Sequence, residues 1–158
     1  MEDLSPYLAP TFYIDYDYPS VSRIAGQLAR SHPHDTAKAV FSFVRDEIPY
    51  NPYSPFYLPE HYRASETLDR GEGFCVQKAV LLAALARANG IAARLVFADI
   101  RNHLMPPKLW NLMKTNFFAF HGYNELHIDG RWKAKASLLQ SLRGIPIDVL
   151  ALFTGTYS

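Results

Sequence analysis

From residue 20 onward the apolar positions fall into helical spacing, then switch to a period of two. Over Ser20 to Ser31 the set Val21, Ile24, Ala25 and Leu28 recurs on one helical face, and over Asp35 to Ile48 the set Ala37, Val40, Phe41, Val44 and Ile48 does the same. Two amphipathic helices are predicted, with Asp35 as N-cap of the second. A short helix is expected around Ser65 to Arg70. From Cys75 to Asn89 almost every residue is a good helix former, and only Gln77, Lys78 and Arg87 interrupt the apolar circumference. That is the pattern of a buried central helix. Gly90 stands where a left-handed cap belongs, and Arg94 to Phe97 then reads as strand. Pro106-Pro107 can start another short helix through about Lys114, and Asn116 to Ile128 reads as a long strand.

Asp129-Gly130 is the preferred pair for a type I′ hairpin, so the strand ending at Ile128 should fold back into one starting at Arg131. A two-residue turn fixes the register: Lys133 opposite Leu126, Ala136 opposite Tyr123 and Leu138 opposite His121. Side-chain alternation then puts His121, Tyr123, Ala136 and Leu138 on one face. The first 19 residues, with Pro6, Pro10 and Pro19 among aromatic residues, read as an extended or irregular segment ahead of a core spanning 20–158. Residues 49–62 carry four prolines and five tyrosine or phenylalanine residues, the composition of an ordered loop that lays aromatic surface over a core or a cleft.

Composition narrows the function classes. With 158 residues, 49% hydrophobic and 20% charged, the chain fits a single globular domain. Its 16 basic and 15 acidic side chains are spread along the sequence, so no basic face for nucleic acid is expected. The acidic N-terminus lacks the basic and apolar regions of a signal peptide, and the longest uncharged apolar stretch, between Lys78 and Arg87, is far shorter than the roughly 18 to 20 residues that span a membrane. A cytoplasmic protein without a membrane partner is the expectation. A single cysteine makes neither an internal disulfide nor a cysteine-rich metal cage, and no metal or cofactor is expected.

That cysteine draws attention through its setting. Cys75 follows Gly71-Glu72-Gly73 and opens the long helix, where unpaired N–H groups and the positive dipole end lower a thiol pKa and can hold an oxyanion. Such a placement suits a nucleophile of acyl transfer, whereas a free cysteine without context is usually an inert core residue. His121 is the candidate base, set apart from the other five histidines by the adjacent Gly122, which permits close approach of another backbone, and by an apolar strand. His32, His34 and His61 read as solvated, and His103 and His127 as weaker alternatives. Gln77 reads as a solvated polar residue that could also reach a cleft, and Trp132 as packing under the hairpin. Tyr50, Tyr53, Phe56 and Tyr57 read as core cover or as an aromatic groove.

Four segments carry a family resemblance: Arg63 to Leu68, Gly71 to Ala79 with its Gly-Phe-Cys helix start, Arg87-Ala-Asn-Gly-Ile through Arg94, and His121 to Trp132. Taken in this order and spacing, the chain resembles bacterial transglutaminase-like proteins over most of its length. The resemblance implies an α+β papain-like core in which a central Cys-bearing helix packs on an antiparallel β-sheet bearing the histidine. It also implies a thiolate that attacks a carboxamide or peptide carbonyl, forms a thioester and passes the acyl group to an amine or water. Cys75 and His121 match the first two members of the family triad. The third, an aspartate four residues after the hairpin tryptophan, is Ala136 here. Asp99, Glu125 and Asp148 are the other acids considered, and Lys133-Ala134-Lys135-Ala136 partly echoes relatives with Lys-Ala-Thr-Pro at this place. A Cys–His dyad acting on a peptide or protein amide is one reading. A catalytically silent domain kept for binding or structure is the other. The cysteine pairs of a zinc-bearing glycanase are missing.

Overall fold

The computed structural model describes residues 1–101, 107, 110, 111, 114 and 117–135, with the backbone alone at 98–101, 117–121, 134 and 135. The helices and strands whose bounds are described run in the order α1 (Pro19–Leu28), α2 (Pro33–Glu47), α3 (Ala64–Arg70), α4 (Cys75–Ala88), β1 (Ala93–Arg101), β2 (Phe117–Ile128) and β3 (Arg131–Lys135). This is the predicted α+β class, helices against an antiparallel sheet.

Both α1 and α2 open on proline, whose missing N–H would have no helical partner there. Pro33 therefore moves the start of α2 ahead of the expected site: His32 is the N-cap, and Asp35 lies in the first turn. Its carboxylate still faces the positive end of the helix dipole. α1 stops at Leu28, short of the expected end, because Ala29 turns extended (ψ 137°) and the Arg30 N–H donates to Thr36 Oγ1 at 2.9 Å. α3 ends on Gly71 at φ +77°, a left-handed cap that glycine adopts without strain. The chain then pairs briefly with the loop before it, Asn51 N–H donating to the Gly73 carbonyl (3.0 Å) and Gly73 N–H to that of Pro49 (3.2 Å).

α4 is the axis of the core, packed by α1, α2 and α3 on one side and by β1 and β2 on the other. Leu81, Leu82 and Leu85 are fully enclosed. The three polar residues expected to break this circumference are themselves buried: Gln77 and Lys78 are 0% exposed and Arg87 7%. Arg87 is satisfied by carbonyls, donating from Nε (3.0 Å) and Nη2 (2.7 Å) to Ala93 and from Nη1 (2.7 Å) to Ala9.

β2 is the middle strand. Its pairing with β3 follows the predicted register, Leu126 opposite Lys133 and Ile128 opposite Arg131, and the turn carries positive φ at Asp129 (56°) and Gly130 (75°) as type I′ demands. The expected partners at 136 and 138 lie outside the described residues, as does most of the expected helix at 106–114, of which Pro107, Trp110 and Asn111 are helical. Gly122, Asn124, Leu126 and Ile128 form the buried face of β2, with Asn124 Nδ2 donating to the Ala79 carbonyl of α4 at 2.9 Å. Tyr123, Glu125 and His127 are half-buried on the other face.

The N-terminal segment, irregular apart from a 3₁₀ turn at Ser5–Tyr7, crosses the molecule as a strap. Ala64 N–H donates to Tyr13 (2.8 Å), Arg63 Nε to Phe12 (3.1 Å) and Arg87 Nη1 to Ala9. Buried Asp15 pins it to α3, accepting the Ser65 N–H at 3.0 Å and pairing with Arg63 at 3.2 Å.

A candidate thiol site

Cys75 is the first residue of α4, half-buried, with no intrahelical partner for its N–H or that of Val76. The preceding turn is close-packed. A Cβ on Gly73 would sit 3.0 Å from Gln77 Oε1 and 3.2 Å from Thr67 Cγ2, so glycine is what allows this approach. Gln77 holds the helix start from the other side: its Oε1 accepts the Phe74 N–H (3.2 Å), and its Nε2 donates to the carbonyls of Pro55 (2.7 Å) and His61 (3.1 Å). The expected solvated residue is thus a buried clasp, because helix start and loop both leave backbone groups to be paired.

The strand meets the thiol at Gly122. Its N–H favours the Cys75 thiolate, and a Cβ at this position would lie 3.2 Å from Val76 Cγ2 and 3.3 Å from Val76 Cα. Glycine therefore lets β2 rest on the first turn of α4, the close approach expected from its place beside His121. The His121 backbone pairs with Ala98 and stands one residue from Gly122; its side chain lies outside what the structure describes.

The electrostatics run partly against expectation. Burial pushes the Cys75 thiol above its ordinary value, while the N–H groups of Gly122, Val76 and Cys75 itself pull it down by favouring the thiolate. Tyr50 lies within electrostatic reach of that sulfur. Burial first, and the Cys75 charge second, push its phenol up to about 12, so it stays neutral and keeps its O–H. Nothing in its sequence set Tyr50 apart from Tyr53, Phe56 and Tyr57, which prove to be 74%, 62% and 75% exposed and cover no core.

Other candidates have structural partners. Trp132 packs on the hairpin as expected, edge-on to Tyr7 and His127, under the Arg94 guanidinium at 4.1 Å and donating to Glu2 at 3.0 Å. Glu125 is held by Arg94 at 2.6 Å. His61 accepts the Leu58 N–H through Nδ1 at 3.1 Å, while His32 and His34 are exposed. Asp99 falls at the irregularity in β1–β2 pairing, beside the residue that pairs with His121. His103, Ala136 and Asp148 lie outside the described residues. Among the described residues no cluster of His, Cys, Asp or Glu is placed to hold a metal.

Known proteins resemble both sequence and fold. The transglutaminase-like superfamily matches residues 22–134. No curated protein matches the sequence. Among solved structures, a candidate cysteine protease from Cytophaga hutchinsonii aligns with a TM-score of 0.68 at 22% identity, covering 94% of this chain and 45% of that one. The periplasmic domain of TgpA from Pseudomonas aeruginosa aligns at 0.62 and 21% identity, covering 87% and 47%, and its ethylmercury-bound form at 0.61. The chain thus spans about half the length of these structures, which share its fold.

Proposed function

The chain belongs to the transglutaminase-like superfamily, and from that membership we propose a thiol hydrolase or acyltransferase acting on amide or peptide bonds, with Cys75 as nucleophile and His121 as base. The observation that carries this reading is the close packing of Gly122 on Val76, where a Cβ would lie 3.3 Å from the Val76 Cα, which brings the start of α4 to the residue next to His121. His121 takes the thiol proton, and the sulfur attacks the carbonyl carbon. The oxyanion faces the unpaired N–H groups at the helix start. Collapse breaks the C–N bond, the amine leaves with the proton from His121, and a thioester remains. Water or a second amine, deprotonated by His121, then attacks the thioester and releases the thiolate.

A silent domain is the second reading, favoured by a specific observation. Burial pushes the thiol up, the direction of an inert core cysteine. One experiment separates the two: the rate of Cys75 alkylation by iodoacetamide against pH, in the parent chain and in His121→Ala. An imidazolium partner favours the thiolate, so the parent midpoint should lie at least about one pH unit below that of the variant. Coincident midpoints at or above an ordinary thiol would sink the catalytic reading.

A further inference from the structure

Against the first turns of α4 lies a cavity of about 350 Å³. Its floor is Val76 and Val80 of α4, and one wall is Leu95 and Phe97 of β1. The strap and Tyr62 close the remaining side, the strap through Thr11, Tyr13 and Ile14. Among the described residues no charged side chain lines it, and the only side-chain polar groups there are the hydroxyls of Thr11, Tyr13 and Tyr62. Val76 is the residue after Cys75, and both Val76 and Phe97 abut Gly122, whose N–H favours the thiolate. The cavity therefore lies within one residue of the thiol along α4, joined to it through Val76 and Gly122.

We infer that this cavity receives an aromatic or branched aliphatic side chain of the acyl donor, and that the strap makes it a specificity pocket of this chain. The inference rests on the thiol reading above. Size and chemistry favour this occupant: the volume is at the small end of ligand pockets, enough for one apolar side chain, and a charged side chain would find no partner among the described lining residues. Its position favours the donor over the acceptor amine, because Val76 directly follows the residue that would hold the acyl group. The strap residues Thr11, Tyr13 and Ile14 precede residue 22, so part of the wall lies ahead of the stretch that the family model matches. Tyr13 and Phe97 stand 43% and 53% exposed, leaving the entrance open to solvent.

The test has two arms. In Cys75→Ala protein, binding of N-acetyl-phenylalaninamide and N-acetyl-glycinamide is measured by NMR titration, which reads the pocket without the chemistry. The phenylalanine compound should bind at least about tenfold more tightly, with shifts at Val80 and Leu95, because its ring leaves water. Filling the cavity with Val80→Phe should abolish that preference, and Phe97→Ala, a truncation at an exposed position, should weaken it. Equal binding of the two amides, or a preference untouched by either substitution, overturns the inference. In the parent chain, hydrolysis of the p-nitrophenyl esters of N-acetyl-phenylalanine and N-acetyl-glycine should show the same preference in kcat/KM. Ester hydrolysis no faster than in Cys75→Ala would overturn the thiol reading, and with it a role for the pocket in donor selection, even if the binding arm succeeds.

Discussion

Lys78 carries an amine that the fold leaves without water and, among the described residues, without a hydrogen-bond partner. Burial lowers its pKa from 10.5 to about 8, with a small opposing pull from the Asp46 carboxylate. The depressed value sets the sign. Below about pH 8 folded and unfolded chains both hold the proton, and the folded state bears the whole cost of the buried charge, roughly 3 kcal/mol. Between about pH 8 and 10.5 the unfolded chain binds more protons, so this contribution to stability rises with pH. Lys78→Met should raise the unfolding free energy at pH 7 by about 1–3 kcal/mol and flatten the rise toward pH 9.5. Urea unfolding at both pH values measures it, and a variant less stable at pH 7 would contradict the account. Cys75 was visible in the sequence because a glycine turn before a strong helix marks an N-terminus. Lys78 was not, since a lysine in an apolar helix ordinarily snorkels to water, and only its complete enclosure in the fold denies it that route.

At the scale of elements, the hairpin was the most legible part. Asp129-Gly130 satisfies two positive φ values at once, and the register of β2 and β3 follows from that turn. The central helix was equally plain, but the burial of its polar residues was not, because Gln77 and Arg87 find backbone carbonyls far away in sequence. The junction of α4 and β2 yields its own prediction. Gly122→Ala would thrust a Cβ against the Val76 backbone, which cannot swing aside as a flexible side chain can. A loss of about 1–3 kcal/mol is expected, together with an altered Cys75 alkylation rate as the Gly122 N–H shifts relative to the sulfur. A neutral result in both unfolding and alkylation would mean that strand and helix separate freely there.

For the whole molecule, the order of periodicities made the succession of helices and then strands readable in the sequence, while the α+β class came with the family resemblance. The route of the strap was not readable, because several of its bonds run from Arg63, Arg87 and Ala64 to main-chain carbonyls, and carbonyls carry no residue signature. Arg87 joins three parts in one side chain: α4, the strap at Ala9 and β1 at Ala93. Arg87→Met should leave those carbonyls short of donors, cost about 2–4 kcal/mol, and raise the rate of proteolytic cutting within residues 1–18 several-fold. Limited proteolysis with N-terminal sequencing of the fragments checks it, and an unchanged cleavage pattern would argue that the strap is held elsewhere. Because the strap supplies part of the cavity wall from a stretch ahead of residue 22, two chains with the same core and different leading peptides would present differently shaped hollows to a ligand. Selectivity in such a fold can then drift through a short upstream peptide while the core stays fixed.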